Sequence, residues 1–109
     1  DYINDIKRAD EYIHSRLFRP PYGRIKRSQL SRLNRAENNM RVVMWNILAG
    51  DWDIDLEPEK CYQRVKRKVL PGDIIVFHDS DKAWDRMSYS LPLLLQDFTR
   101  LGYQFSTIK

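Results

Sequence analysis

An α/β fold of parallel type is predicted by three observations. Strand-like segments alternate with helix-like ones. One strand is a continuous apolar run closed off by turn residues. The inner strands each end in unusual polar chemistry. About four parallel-type strands alternating with helices are expected along the 109 residues, an order that argues for βα units. The length suits one small domain with its own core, read as a single segment, 1–109. Hydrophobic residues make up 42% and charged residues 31%, which is a globular rather than a disordered balance. No apolar run approaches the roughly 20 residues that span a bilayer, so no membrane span is expected. The chain opens without Met and already with helical periodicity, in DYINDIKRADEYIHSRL, which reads as the inside of something longer.

The elements follow in order. Ile3, Ile6, Ala9 and Ile13 recur at helical spacing and predict a first helix. Leu17-Phe18 reads as a short strand ending at Arg19. In RPPYGR, Arg19 to Arg24, two prolines fix φ, and Tyr22 with Gly23 completes a stiff corner. Such a corner either aims a side chain or simply joins two elements. Ser28 to about Glu37 is rich in helix formers, with Leu30 and Leu33 three apart. RVVMWNI, Arg41 to Ile47, is β-branched and aromatic and predicts a strand. Pro58 suits the first turn of a helix running to about Val69, with Cys61, Val65 and Val69 on its apolar face. DIIVF, Asp73 to Phe77, lies between Pro71-Gly72 and His78-Asp79 and should be a strand covered on both faces. Leu91, Leu94, Leu95, Phe98 and Leu101 give the clearest helical stripe, with Ser90 as cap before Pro92 and Gly102 just past the end. YQFSTI, Tyr103 to Ile108, alternates and predicts a last strand.

Charge and composition narrow the chemistry. The net charge is +4, and the excess is local: residues 1–41 hold 10 Lys/Arg against 5 Asp/Glu, the rest 9 against 10. GRIKRSQLSRLNR is either a solvated helix face or a patch for an anionic partner. No aromatic residues interleave to stack bases, so no nucleic-acid partner is expected. Cys61 is the only cysteine, which rules out an internal disulfide and a multi-cysteine metal site. His14 and His78 are the only histidines and stand 64 positions apart, so no HxxxH or HExxH spacing exists and no metal-ligating residues are assigned. DWDIDLEPE, Asp51 to Glu59, partly matches a calcium loop, but Leu56 occupies the turn-glycine place and Tyr62 the bidentate-acid place. It reads instead as a solvated acidic loop, with Asp51 and Trp52 set apart by lying nearest the preceding strand. Serine catalysis has no GxSxG, and four glycines make no phosphate loop.

What remains is a convergence. Arg19, Asp51-Trp52 and His78-Asp79 each follow a predicted inner strand. In parallel α/β folds the C-terminal strand ends form the ligand side. One rim would then gather an arginine, a carboxylate with an indole, and an imidazole. His78 alone could equally be a core histidine or the start of a turn.

With FRPPYG, the Asp51-Trp52 loop and IIVFHD together, the chain resembles the C-terminal half of the polysaccharide deacetylase family, the NodB-homology domain. The resemblance implies part of a distorted (β/α) barrel and the last three of five ordered motifs, over nearly the whole chain. It implies hydrolysis of acetyl groups from a polysaccharide or peptidoglycan-type sugar, at a C–N amide or an ester. By resemblance Arg19 orients the catalytic base, the backbone amide of Tyr22 helps hold the oxyanion, and Trp52 walls the groove. Asp51 supports His78, the general acid, while Ile75 and Phe77 lie in the segment that lines the acetyl pocket. A divalent metal, zinc or similar, is implied for the parent protein, and none is expected to be held tightly by this chain.

Two departures accompany the resemblance. Leu48 stands where the fourth motif, DxxDW, has its first Asp. The TFDDG and HxxxH motifs, with the base and the metal ligands, do not occur, and they are expected N-terminal to Asp1. The isolated chain is therefore expected to be inactive, and the cut edges of a half barrel to favour self-association. An extracytoplasmic or envelope location follows by analogy only. The competing reading is a non-catalytic carbohydrate-binding or assembly module that keeps Tyr22 and Trp52 without the chemistry.

Overall fold

The computed structural model describes residues 1–35 and 38–109. It is a mixed α/β chain that divides into two compact units, Asp1–Met44 and Trp45–Lys109.

The first unit begins with α1, Tyr2–Ile13. The Asp1 carboxylate caps it by accepting from the Ile3 N–H at 3.2 Å. His14 closes it in the left-handed region, φ 53°, with its N–H on the Asp10 carbonyl at 2.9 Å. Ile3 and Ile6 are buried and pack with Leu33 into a small core flanked by Phe18, Ile25, Met40 and Val42. The expected apolar face does not continue to the helix end, since Ala9 and Ile13 lie exposed beyond the reach of that core. Leu17–Phe18 forms β1, and Pro21–Gly23 a tight 3₁₀ turn. Arg27–Leu33 forms α2, its first turn tied by the Lys26 N–H donating to Gln29 Oε1 at 2.8 Å. The expected extension of α2 to about Glu37 falls partly on Ala36 and Glu37, outside the described residues. Arg41–Val42 forms β2 and pairs in parallel with β1.

The second unit begins with β3, Ile47–Leu48, which pairs in parallel with β4, Ile75–Val76. Between them runs α3, Pro58–Lys66, with Pro58 in the first turn as its missing N–H allows. After β4 comes α4, Trp84–Arg100. Ile47, Ala49, Cys61, Tyr62, Val65, Leu94 and Phe98 make the core, with Ile75 and Phe77 packed against it. The α3–α4 seam carries a polar knot. The Tyr62 hydroxyl donates to the Asp97 carboxylate, and Lys66 Nζ sits 3.1 Å from Asp97 and 2.9 Å from the Tyr62 oxygen. The tyrosine hydrogen bond, then Lys66, holds the Asp97 carboxyl below the usual carboxylate range.

Three expectations are corrected. RVVMWNI is not one strand: Arg41 and Val43 donate toward β1, Asn46, Ile47 and Ala49 toward β4, and Met44-Trp45 fall between the two ladders. One β-favouring run thus serves two sheets. Ser90 is not a cap, because α4 starts six residues earlier and Ser90 is fully buried within it. Its face is Arg86, Ser90, Leu94 and Phe98, spaced by four, and that burial outweighs the ladder bond lost at Pro92. YQFSTI forms no strand. Tyr103 packs edge-on to Phe98 at 5.1 Å, but Gln104–Lys109 are exposed with no strand beside them among the described residues. Alternation makes a strand only where a ladder partner exists. Gly102 does follow α4 as expected: at φ 88° it lets the Gly102 and Tyr103 N–H groups turn back onto Thr99 and Phe98.

Candidate active site

The second unit builds the site from two strand ends. After β3 the chain reaches Ala49, whose carbonyl accepts from the Cys61 thiol at 3.4 Å, then turns at Gly50. Gly50 has φ 79°, a conformation that calls for glycine, and a Cβ there would lie 2.2 Å from the Arg64 guanidinium, which would have to shift aside. The turn presents Asp51, which is wholly buried. After β4 the chain passes Phe77 and presents His78. The two meet: His78 Nδ1 lies 2.8 Å from Asp51 Oδ1, and the His78 backbone N–H donates to Asp51 Oδ2 at 2.6 Å.

Both carboxylate oxygens are thus occupied by one residue. A carboxylate only accepts, so the ring proton of this bond sits on Nδ1 and Nε2 is left as the working nitrogen. The carboxylate is inaccessible while the imidazole is 40% exposed. Trp52 stands edge-on to the imidazole at 5.7 Å and 71°, itself partly open to solvent. The Cys61 thiol is pushed up chiefly by burial; a bond with Ser90 opposes that shift and the Asp51 charge adds to it. Behind Asp51 lies Arg86, only 6% exposed. Its Nε–H donates to the Asp51 main-chain carbonyl at 2.7 Å, and its Nη2 to the carbonyl of Lys82.

The structure therefore brings Asp51, Trp52 and His78 together. Ile75 and Phe77 sit on the adjoining strand, half-buried against the core of the second unit. Arg19 and Tyr22 belong to the first unit. Arg19 is exposed just past β1, beside a cleft of about 300 Å³ floored by Ile6, Leu17 and Phe18. Tyr22 is almost fully exposed and holds φ 55°, a left-handed conformation that a non-glycine residue rarely adopts. Sequence reading missed Arg86 and Arg64. Arg86 had a signal: it lies four before Ser90 and eight before Leu94, so a charged residue shares the register of the buried stripe.

No family model matches the sequence, and no curated protein does. Solved structures do. A peptidoglycan N-acetylglucosamine deacetylase, crystallised with a naphthyl N-hydroxybenzamide, superposes with a TM-score of 0.77 at 24% identity, over 85% of this chain and 42% of that one. A mutant of a CE4 family pseudoenzyme with restored enzymatic activity superposes with a TM-score of 0.68 at 27% identity, over 81% of this chain and 30% of that one. The chain has part of the fold of a polysaccharide deacetylase domain. It spans less than half the length of each of these two chains.

The metal implied by a deacetylase does not fit the described residues of this chain. His78 Nδ1 and both Asp51 oxygens are committed to each other. No three His, Cys, Asp or Glu side chains converge among the described residues.

Proposed function

We propose that this chain carries the proton-donating side of a hydrolase that removes acetyl groups from a polysaccharide or peptidoglycan-type sugar. The observation that carries the reading is the Asp51–His78 pair, a buried carboxylate locking a half-exposed imidazole beside an indole. The likeness to a peptidoglycan deacetylase supports the substrate class.

Amide hydrolysis adds water to the acetyl carbonyl and then breaks the C–N bond, giving acetate and a free amine. The nitrogen is a poor leaving group until it is protonated, and a positioned histidine supplies that proton. With Nδ1 bound to Asp51, the imidazolium gives its proton from Nε2, and Asp51 steadies the charged ring while it waits. Trp52 walls one side of the imidazole and gives a sugar ring an apolar face to lie on. By the family resemblance, the first unit's Arg19 is assigned to orienting the base and its Tyr22 amide to the oxyanion, and the second unit's Ile75 and Phe77 to the acetyl pocket. The base and the implied metal come from outside the described residues, and an extracytoplasmic or envelope location is proposed by family analogy alone. We further propose that unpaired strand edges drive self-association.

The test compares this chain with one extended upstream of Asp1, on an acetylated chito-oligosaccharide with zinc, following acetate release. The extended chain turns over and its His78→Gln variant loses about 10²–10⁴-fold in kcat, the usual worth of a general acid. The short chain alone releases no acetate. Turnover by the short chain, or an unaffected His78→Gln variant, overturns the reading. Binding of the oligosaccharide without acetate release by the extended chain turns it into a carbohydrate-binding module.

A further inference from the structure

Asp51 is held at both ends, and the second hold is unassigned. Its carboxylate grips His78, while its main-chain carbonyl accepts from Arg86 at 2.7 Å. A buried guanidinium is costly unless its donors are satisfied. Here two of them reach main-chain carbonyls, Asp51 on the turn and Lys82 just before α4. From the opposite helix, the Arg64 guanidinium lies against Gly50. The Gly50–Asp51 turn is therefore set between an arginine of α3 and an arginine of α4.

We infer that Arg86 is a positioning residue: by fixing the Asp51 backbone it aims the carboxylate at His78 and selects the Nδ1–H form of the ring. The geometry carries the point. The carboxylate meets the His78 ring and backbone at 2.8 and 2.6 Å only while the Asp51 Cα stays in place. Rotating the freed carbonyl swings the side chain off both donors. The groups around the pair are Trp52 on the turn, Asp79 after β4, Cys61 and Arg64 on α3, and Arg86 on α4. Of these, Arg86 is the one bonded to the Asp51 main chain. The assignment rests on reading His78 as the proton donor, yet its test needs no turnover. An inactive protein and a misassigned Arg86 give different results.

The experiment is nitrogen NMR of the His78 ring in wild type, Arg86→Met and Arg86→Lys, with thermal melts as the check on folding. Arg86→Met keeps the apolar stem and removes every donor. It is expected to move the neutral ring from Nδ1–H to Nε2–H and to abolish the protected Nδ1 proton, while Arg86→Lys restores part of the Nδ1–H population. In the extended chain kcat then falls roughly 10–100-fold with KM little changed, by analogy with the outer partners that orient metal-ligating side chains. A folded Arg86→Met with the wild-type tautomer overturns the assignment. If that variant does not fold, the wild-type chain decides: an Arg86 Nε–H exchanging as fast as a free guanidinium overturns the clamp, and a protected one supports it.

Discussion

At the scale of single residues, the test of the Asp51–His78 pair is to spoil one acceptor and keep the shape. Asp51→Asn leaves one carbonyl oxygen where the carboxylate offered two. The His78 backbone N–H retains that oxygen, the new amide group faces Nδ1, and the neutral ring carries its proton on Nε2. The variant is expected to fold, with a loss of about 1–3 kcal/mol for the weakened buried bond. Nitrogen chemical shifts should report the Nε2–H form, and an unchanged tautomer would contradict the pairing. The residues of this pair were legible in sequence because each follows an apolar strand and stands where polar chemistry is unexpected. Their bonding was legible only through the family resemblance, since 27 positions separate them and the parallel register of β3 on β4 is what makes them neighbours. Arg86 escaped notice because a helical stripe is read from its apolar members.

At the scale of elements, α3 and α4 are joined by the Tyr62–Asp97–Lys66 knot, and its pH response has a definite sign. The Asp97 carboxyl is held below its ordinary value of 3.8 by the Tyr62 hydroxyl first and Lys66 second. A carboxyl depressed in the folded state contributes stability that is present above its unfolded pKa and is lost as pH falls through the folded one. Thermal melts from pH 6 downward should therefore show a decline below about pH 4 that Asp97→Asn reduces. Identical slopes for variant and wild type would remove the knot from the account. Helices were the easier elements to read. Ile3 and Ile6, Cys61 and Val65, and Leu94 and Phe98 show their spacing directly. Strands were harder, for a physical reason. RVVMWNI and YQFSTI are both β-favouring, and only a partner decides that the first is used twice and the second not at all.

At the scale of the whole molecule, each of the two sheets has only two strands among the described residues. Two-stranded sheets are marginal on their own and leave backbone donors and acceptors to be met by solvent or by another chain. Leu48, at 39% exposure, and Leu17, at 37%, add apolar surface on these strands. Sedimentation velocity should give an average mass above 13.1 kDa that rises with concentration. A monomer throughout would show that the edges are protected. The α/β class and the deacetylase fold were both legible, the first from alternation and the second from three ordered motifs. The division into two units was not, because it falls inside a run that reads as one strand.

The double grip of Asp51 on His78 also settles how the chain meets stray cations. A surface histidine beside a free carboxylate is an opportunistic ligand for nickel or copper. Here the Asp51 carboxylate and His78 Nδ1 are already engaged with each other, so a passing ion finds one imidazole nitrogen, and no three His, Cys, Asp or Glu side chains converge to hold it among the described residues. The bonds that ready the ring for proton transfer also keep it from being scavenged. A nickel resin should not retain this protein through His78.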